Sequence, residues 1–226
     1  MDKITLPIST SISGLPKSGK THLALTWPAP IKLYSFEHGA DFIAKTKFPE
    51  KKIVIKRYKL PIIESDNPEP YAERIWEDFQ TEFKADAYSG EYQTLIVDTG
   101  THLWAVLRQA ITEAKHGKKL LEVEYALPNL KMGAIYSHAY EAGINLVVVN
   151  YLRDKYVKGE NTGDLELNGW GQTEGMVDVV LEIARKTTDG KTKMVTSLRD
   201  NRFDRDLNGQ SFIDFTYDEL MIVLGV

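Results

Sequence analysis

Cysteine is absent from the 226 residues. That excludes a disulfide framework, thiolate zinc or iron–sulfur sites and a cysteine nucleophile, and it suits a reducing compartment. An excess of positive charge is also missing: 28 Lys and Arg stand against 32 Asp and Glu, a formal net charge of −4. A generic polyanion-coating protein would be basic, so any nucleic-acid contact has to be local. No apolar stretch approaches the roughly 20 residues that span a bilayer. Met1-Asp2-Lys3 opens without the basic-plus-apolar pattern of a signal peptide. A soluble, cytoplasmic protein with no membrane partner is expected. There is no fixed-period repeat, no low-complexity segment, no G-x-S-x-G motif, and no metal-ligand spacing among the five histidines. What remains is ordinary globular composition, 42% hydrophobic and 27% charged, at a length that suits one domain over residues 1–226.

Strand-like and helix-like segments alternate, which points to an α/β fold with a largely parallel central sheet flanked by helices. A first strand is expected within Ile4–Ile12, then a glycine-rich turn and a short helix over Thr21–Thr26, stopped before Pro28. Ile31–Phe36, Ile53–Ile55, Thr94–Val97 and Asn145–Asn150 read as further strands. Helices are expected from Pro70, a residue suited to a first helical turn, to about Ala87, from Thr101 to Lys115, and from Asn129 to Glu141. Pro61–Pro70 and His116–Pro128 read as irregular. Lys155–Gln172 holds four glycines and no clear period, so it reads as a long loop. Val179–Ala184 and Lys193–Leu198, joined through Thr188-Asp189-Gly190-Lys191, read as a C-terminal antiparallel hairpin. One more strand or a short helix follows it.

Gly14-Leu15-Pro16-Lys17-Ser18-Gly19-Lys20-Thr21 fits G-x-x-x-x-G-K-[ST] in full. Backbone N–H groups in such a loop and at the following helix start point at phosphate oxygens, and the helix dipole adds positive potential. Gly14 and Gly19 open conformations closed to residues with a Cβ. Lys20 can reach the β- and γ-phosphates, and the Thr21 hydroxyl can ligate Mg²⁺. The nucleotide-binding set is therefore Gly14 through Thr21, with His22 beside it. Leu95-Ile96-Val97-Asp98 places a carboxylate at the end of a buried strand, where it can hold Mg²⁺ with Thr21; an Asp capping the next helix is the competing role.

From here the residues resemble a known family. Phe36-Glu37-His38-Gly39-Ala40 ends the strand after the P-loop helix. The RecA family carries there an acidic residue that activates the attacking water, which implies a catalytic Glu37. Asn150-Tyr151-Leu152-Arg153 is similar to that family's polar sensor of the γ-phosphate; the matching slot is Tyr151, with Asn150 just before it as the candidate sensor. Leu198-Arg199-Asp200-Asn201-Arg202 resembles the basic motif that reaches a neighbour's nucleotide, which makes Arg202 or Arg199 a candidate finger. The order covers most of the chain and is closest to the compact RecA-like AAA-domain proteins of bacteriophages, some of which act in single-strand annealing and recombination. The resemblance implies a RecA-like fold, ATP and Mg²⁺ as cofactors, hydrolysis, single-stranded DNA as partner, and the host cytoplasm as location if the protein is phage-encoded. It also implies self-association as a ring or dimer. Filaments are not expected, because the chain starts almost at its first strand.

Charge supports the DNA contact unevenly. Ile43–Leu60 carries seven Lys/Arg against one acidic residue and Arg185–Arg205 seven against three, two local basic surfaces suited to phosphate. Tyr151–Gln172, the DNA-carrying loop on the family pattern, holds three basic against four acidic residues. Its Tyr151, Tyr156 and Trp170 could stack on bases, or Trp170 could pin the loop down as an apolar plug. Two other activities share the P-loop: a kinase of a small acceptor, which would need an Arg-bearing lid, and a nucleotide-dependent binding switch with little hydrolysis. The absence of an N-K-x-D base-reading motif favours ATP over GTP.

Overall fold

The computed structural model describes residues 7–62, 69–115, 121–188 and 190–226. Among the described residues the strands are β1 (Ser9–Gly14), β2 (Ile31–Ser35), β3 (Ile53–Arg57), β4 (Thr94–Asp98), β5 (Asn145–Val157), β6 (Glu160–Asn168), β7 (Val179–Thr188), β8 (Lys191–Asn201) and β9 (Ser211–Ile213). The helices are α1 (Lys20–Ala24), α2 (Ala40–Lys47), α3 (Ala72–Tyr88), α4 (Gly100–Ala114), α5 (Ala126–Ala142), α6 (Thr173–Met176) and α7 (Tyr217–Leu224). All the strands belong to one sheet, in the order β3-β2-β4-β5-β1-β7-β8-β9, with β6 paired to β5. β3 through β7 in that order run parallel, while β6, β8 and β9 are antiparallel additions. This is the mainly parallel α/β architecture that the alternation implies, with its C-terminal hairpin.

The central strands are buried on both faces, so they read as continuous apolar runs. Trp76, Phe79 and Phe83 of α3, Leu103 and Leu107 of α4, and Met132 and Ile135 of α5 cover one face. Leu23 of α1, Ala40 and Ala44 of α2, and Leu220 and Leu224 of α7 cover the other. α3 starts two residues after Pro70, and the Glu113 carboxylate of α4 accepts from the Tyr71 and Ala72 amides at its start. That long-range cap satisfies two otherwise unpaired helix donors.

Several expectations shift. The first strand lies at Ser9–Gly14; Ile4 falls outside the described residues, as do 63–68, 116–120 and the Asp189 turn position. Ala40–Lys47 is helical, which its charge-rich, short sequence did not announce. α5 starts at Ala126, three residues ahead of Asn129, with Pro128 accommodated in its first turn. The largest correction is at Lys155–Gln172. This segment is no long loop: β5 runs on to Val157, and β6 returns from Glu160 to Asn168. Lys158 and Gly159, both at positive φ, make the two-residue turn. A cross-strand ion pair at 2.8 Å joins Arg153 to Glu166. Beyond Tyr151 both faces of this hairpin are mostly exposed, so no alternation was there to read.

Trp170, just past β6, is 2% exposed. Its ring packs on Tyr136 at 5.4 Å and its Nε1 donates to Asn129 at 2.8 Å. Of its two readings the plug is the one the fold adopts. Trp170→Ala should therefore cost about 3–5 kcal/mol of stability, the usual cost of truncating a buried aromatic. Urea unfolding checks this, and a loss near zero would return Trp170 to the mobile aromatics.

Candidate nucleotide site

The P-loop leaves the end of β1 between two strands that run past it. β5 continues beyond Tyr151, the partner of Gly14, to Val157, and β7 continues beyond Glu182, the partner of Ser13, to Thr188. The loop thus lies in a trough between two hairpins. A Cβ on Gly14 would sit 2.4 Å from the Ile183 carbonyl oxygen and 2.6 Å from Ser18 Oγ, so the close approach of β7 requires glycine there. Gly19, at φ 101°, stands before the first residue of α1 in a conformation that side chains disfavour.

Lys20 is buried, with Nζ donating to the Gly14 and Leu15 carbonyls at 3.0 and 2.8 Å and lying 4.4 Å from the centre of the Tyr151 ring. Burial lowers its pKa, against the pull of Glu37 and Asp98. Thr21 Oγ1 donates to Asp98 Oδ2 at 2.8 Å. Asp98, 3% exposed, is pushed up to about 6, mainly by burial, with Thr21 working against the shift and the Glu37 charge adding to it. Glu37 follows β2, next to the Phe36 amide that donates to the Asp98 carbonyl at 2.6 Å. Its Oε1 is 3.3 Å from His102 Nδ1. Burial would raise the Glu37 pKa, but hydrogen-bonding contacts with His102 and Tyr151 and the charges of His102 and Lys20 bring it below the usual value.

The residues fit a nucleotide and its metal. The Ser18 hydroxyl inside the loop is buried without a partner, an unusual state for a polar side chain. The Thr21–Asp98 pair offers one hydroxyl and one desolvated carboxylate, the protein share of a P-loop Mg²⁺ site. Among the described residues no group of three or more His, Asp or Glu could hold a metal alone, so remaining ligands would come from phosphate and water. His22 follows Thr21 on α1. Its ring lies 5.1 Å from that of Phe48 and lines, with Gly19, Leu23, Ile183, Met194 and Phe215, an apolar cavity of about 410 Å³.

The structure brings Gly14 through His22, Asp98 and Glu37 together at the C-terminal edge of the sheet. Asn150 stands apart. It is 1% exposed and reaches the Ser11 hydroxyl and the Val148 carbonyl, each at 3.5 Å. It packs so closely under α4 that a Cβ on Gly100 would lie 2.7 Å from its Oδ1. Strand alternation turns it to the opposite face of β5 from Tyr151, and Tyr151 is the residue over Lys20. Arg202 lies past the end of β8, bonded to the Gly175 carbonyl at 2.9 Å and 3.7 Å from Asp178. Asp178 holds Ser9 at the start of β1, so Arg202 is at the opposite end of the sheet from its own P-loop. Arg199 sits 3.7 Å from Glu182.

Sequence reasoning passed over His102 and the apolar cavity. The signal for His102 was its place four residues after Asp98, in the first turn of the next helix. The cavity assembles from α1, α2, β7, β8 and the segment before α7 and has no local signature.

A family model described as an AAA domain matches residues 6–210. The chain belongs to that family. Its fold is similar to that of a KaiC-like protein from the hyperthermophilic archaeon Pyrococcus horikoshii OT3, with a TM-score of 0.56, 12% identity, and coverage of 92% of this chain and 85% of that one. No curated protein sequence matches it. Family, fold and P-loop geometry agree on a RecA-like P-loop nucleotide-binding domain. Among the described residues no helix is long and apolar enough to cross a membrane.

Asp98 supplies a pH test in metal-free buffer. Its folded pKa is above the ordinary 3.8, so the folded state binds the proton more tightly than the unfolded chain. Stability is then lost as pH rises from about 4 to about 6. Asp98→Asn should be more stable than wild type at pH 7.5 by on the order of 2–3 kcal/mol, with the gap closing towards pH 4. Urea unfolding at the two pH values checks it; a pH-independent gap would remove the buried charge as the cause.

Proposed function

We propose that this AAA-domain protein is a Mg²⁺-dependent ATPase that works on single-stranded DNA, in recombination, annealing or replication of the bacteriophage type. The observation that carries the hydrolytic part is the Thr21–Asp98 hydrogen bond beneath a complete P-loop, with the Glu37 carboxylate across from Lys20. Lys20 leaves the loop carbonyls to neutralise phosphate charge. Glu37, ionised at neutral pH, orients or deprotonates the attacking water. Bound at Thr21 and Asp98, Mg²⁺ would supply charge neutralisation at the transferred phosphoryl group. The apolar cavity beside Gly19 and His22 suits a base.

The DNA part is supported by the β7–β8 hairpin. Arg185, Lys186, Lys191 and Lys193 are exposed along its projecting end, beside the nucleotide site. The β5–β6 hairpin, with its acidic excess, is the weaker candidate for phosphate. The kinase alternative finds little support: Arg153, the single arginine of the β5–β6 hairpin, is paired to Glu166. Self-association as a ring or dimer would give Arg199 and Arg202 a neighbour's site to reach.

The test is steady-state phosphate release from Mg²⁺-ATP with and without single-stranded oligonucleotide. Lys20→Ala should lower turnover at least about 100-fold with the fold intact by circular dichroism. Glu37→Gln should remove both basal turnover and any stimulation by DNA. Normal turnover in Lys20→Ala would sink the ATPase assignment. A rate in wild type that ignores DNA would sink the DNA part alone.

A further inference from the structure

Glu37 Oε1 is buried and makes no formed hydrogen bond, although His102 Nδ1 is 3.3 Å away. That nitrogen also lies 2.9 Å from Thr99 Oγ1, which in turn accepts the His102 amide at 3.2 Å as the N-cap of α4. The imidazole edge therefore faces two oxygens, one hydroxyl and one carboxylate. If Nδ1 carried a lone pair, Thr99 could donate to it, but the carboxylate would face that lone pair. With hydrogen on Nδ1, both oxygens are acceptors for it, and the negative one gains most. Four groups face Glu37 from four elements: Lys20 of α1, Asp98 of β4, His102 of α4 and Tyr151 of β5. Asp98 repels the carboxylate. Lys20 is directed to the loop carbonyls. Tyr151 lies with its ring over Lys20 and edge-on to His102 at 6.1 Å, and its hydroxyl shares the Glu37 carboxylate with His102. Of the two donors beside the carboxylate, His102 is the one that stands 3.3 Å from Oε1 with its backbone fixed by a helix start.

We infer that His102 is a positioning residue for Glu37: its Nδ1–H, kept beside the carboxylate by Thr99, limits the rotation of Glu37 so that the attacking water meets a set geometry. The inference rests on the ATPase reading of the site. A carboxylate that can swivel loses the alignment on which water activation depends. The Thr99 cap ties the imidazole to the residue that follows Asp98, so the metal carboxylate and the water-orienting carboxylate are registered to one another through a single helix start.

Two readouts test this on the full chain with His102→Ala, His102→Asn, Glu37→Gln and the double variant His102→Ala/Glu37→Gln. The first needs no nucleotide: the ¹³C carboxyl signal of Glu37 followed through a pH titration. His102→Ala should move its midpoint upward. His102→Asn, whose Nδ2–H can occupy the place of Nδ1–H, should bring it back. The second is turnover of Mg²⁺-ATP. His102→Ala should lower kcat about 10- to 100-fold with KM within about twofold, His102→Asn should recover most of the loss, and the double variant should be no slower than Glu37→Gln. An unmoved Glu37 midpoint in His102→Ala would overturn the inference, as would equal rates for Ala and Asn or losses that multiply in the double variant. If wild type binds ATP and turns none over, the ATPase reading fails, and the titration alone decides whether His102 holds Glu37.

Discussion

Asp98 enters the interior of the sheet edge as a carboxylate with one formed side-chain hydrogen bond, from Thr21. Taking a carboxylate out of water is costly unless partners replace the water, and here replacement is incomplete, as its raised pKa shows. The neighbourhood is organised around that deficit. Thr21 is brought to Asp98 by the P-loop, whose path depends on Gly14 letting β7 approach to contact distance. Lys20 lies close enough to lower the Asp98 pKa but spends its own donors on two loop carbonyls. On the proposed reading, a cation held by Thr21 and Asp98 would offset that cost.

Much of the fold was legible because its central strands are buried on both faces. Leu95-Ile96-Val97 and Leu146–Val149 carry the continuous apolar runs that a parallel sheet demands. Trp76, Phe79 and Phe83 carry the helical spacing of α3. What stayed hidden lacks burial, and with it period. The β5–β6 hairpin is held by backbone pairing, a tight turn and surface ion pairs, and solvent on both faces erases the alternation by which strands are recognised. α2 has eight residues, of which Ala40 and Ala44 are buried, too little apolar surface to mark a helix in advance. At α5 the misjudged boundary comes from Pro128, which reads as a breaker in sequence but fits a first turn.

The site divides along a similar line. Its phosphate-facing half is a contiguous motif, and a contiguous motif folds locally, so Gly14 through Thr21 could be placed from residue types alone. The half that faces the water is assembled from strand parity and helix phase. Between Asn150 and Tyr151, which side chain meets Lys20 turns on a one-residue choice of face, and a register difference of one inverts it. His102 reaches Glu37 because α4 starts immediately after β4, so a residue one turn in returns over the strand end. Neither relation has a composition signal.

The two hairpins that flank the P-loop differ in a way that bears on how nucleotide and polymer could be coupled. The β5–β6 hairpin starts from Tyr151, which touches Lys20, and its base is clamped by Thr101, which donates to the Asn168 carbonyl and accepts from the Tyr151 amide. It is mechanically close to the phosphate site but carries an acidic excess. The β7–β8 hairpin has the positive charge, and it meets the nucleotide site through apolar contacts: Ile183 and Met194 pack around Gly19 and line the cavity next to His22. A base in that cavity would press on the basic hairpin directly, whereas phosphate would act first on the acidic one. If the proposed DNA partner binds the basic β7–β8 hairpin and the base fills the cavity against it, coupling between ATP and DNA would run through the base side of the nucleotide.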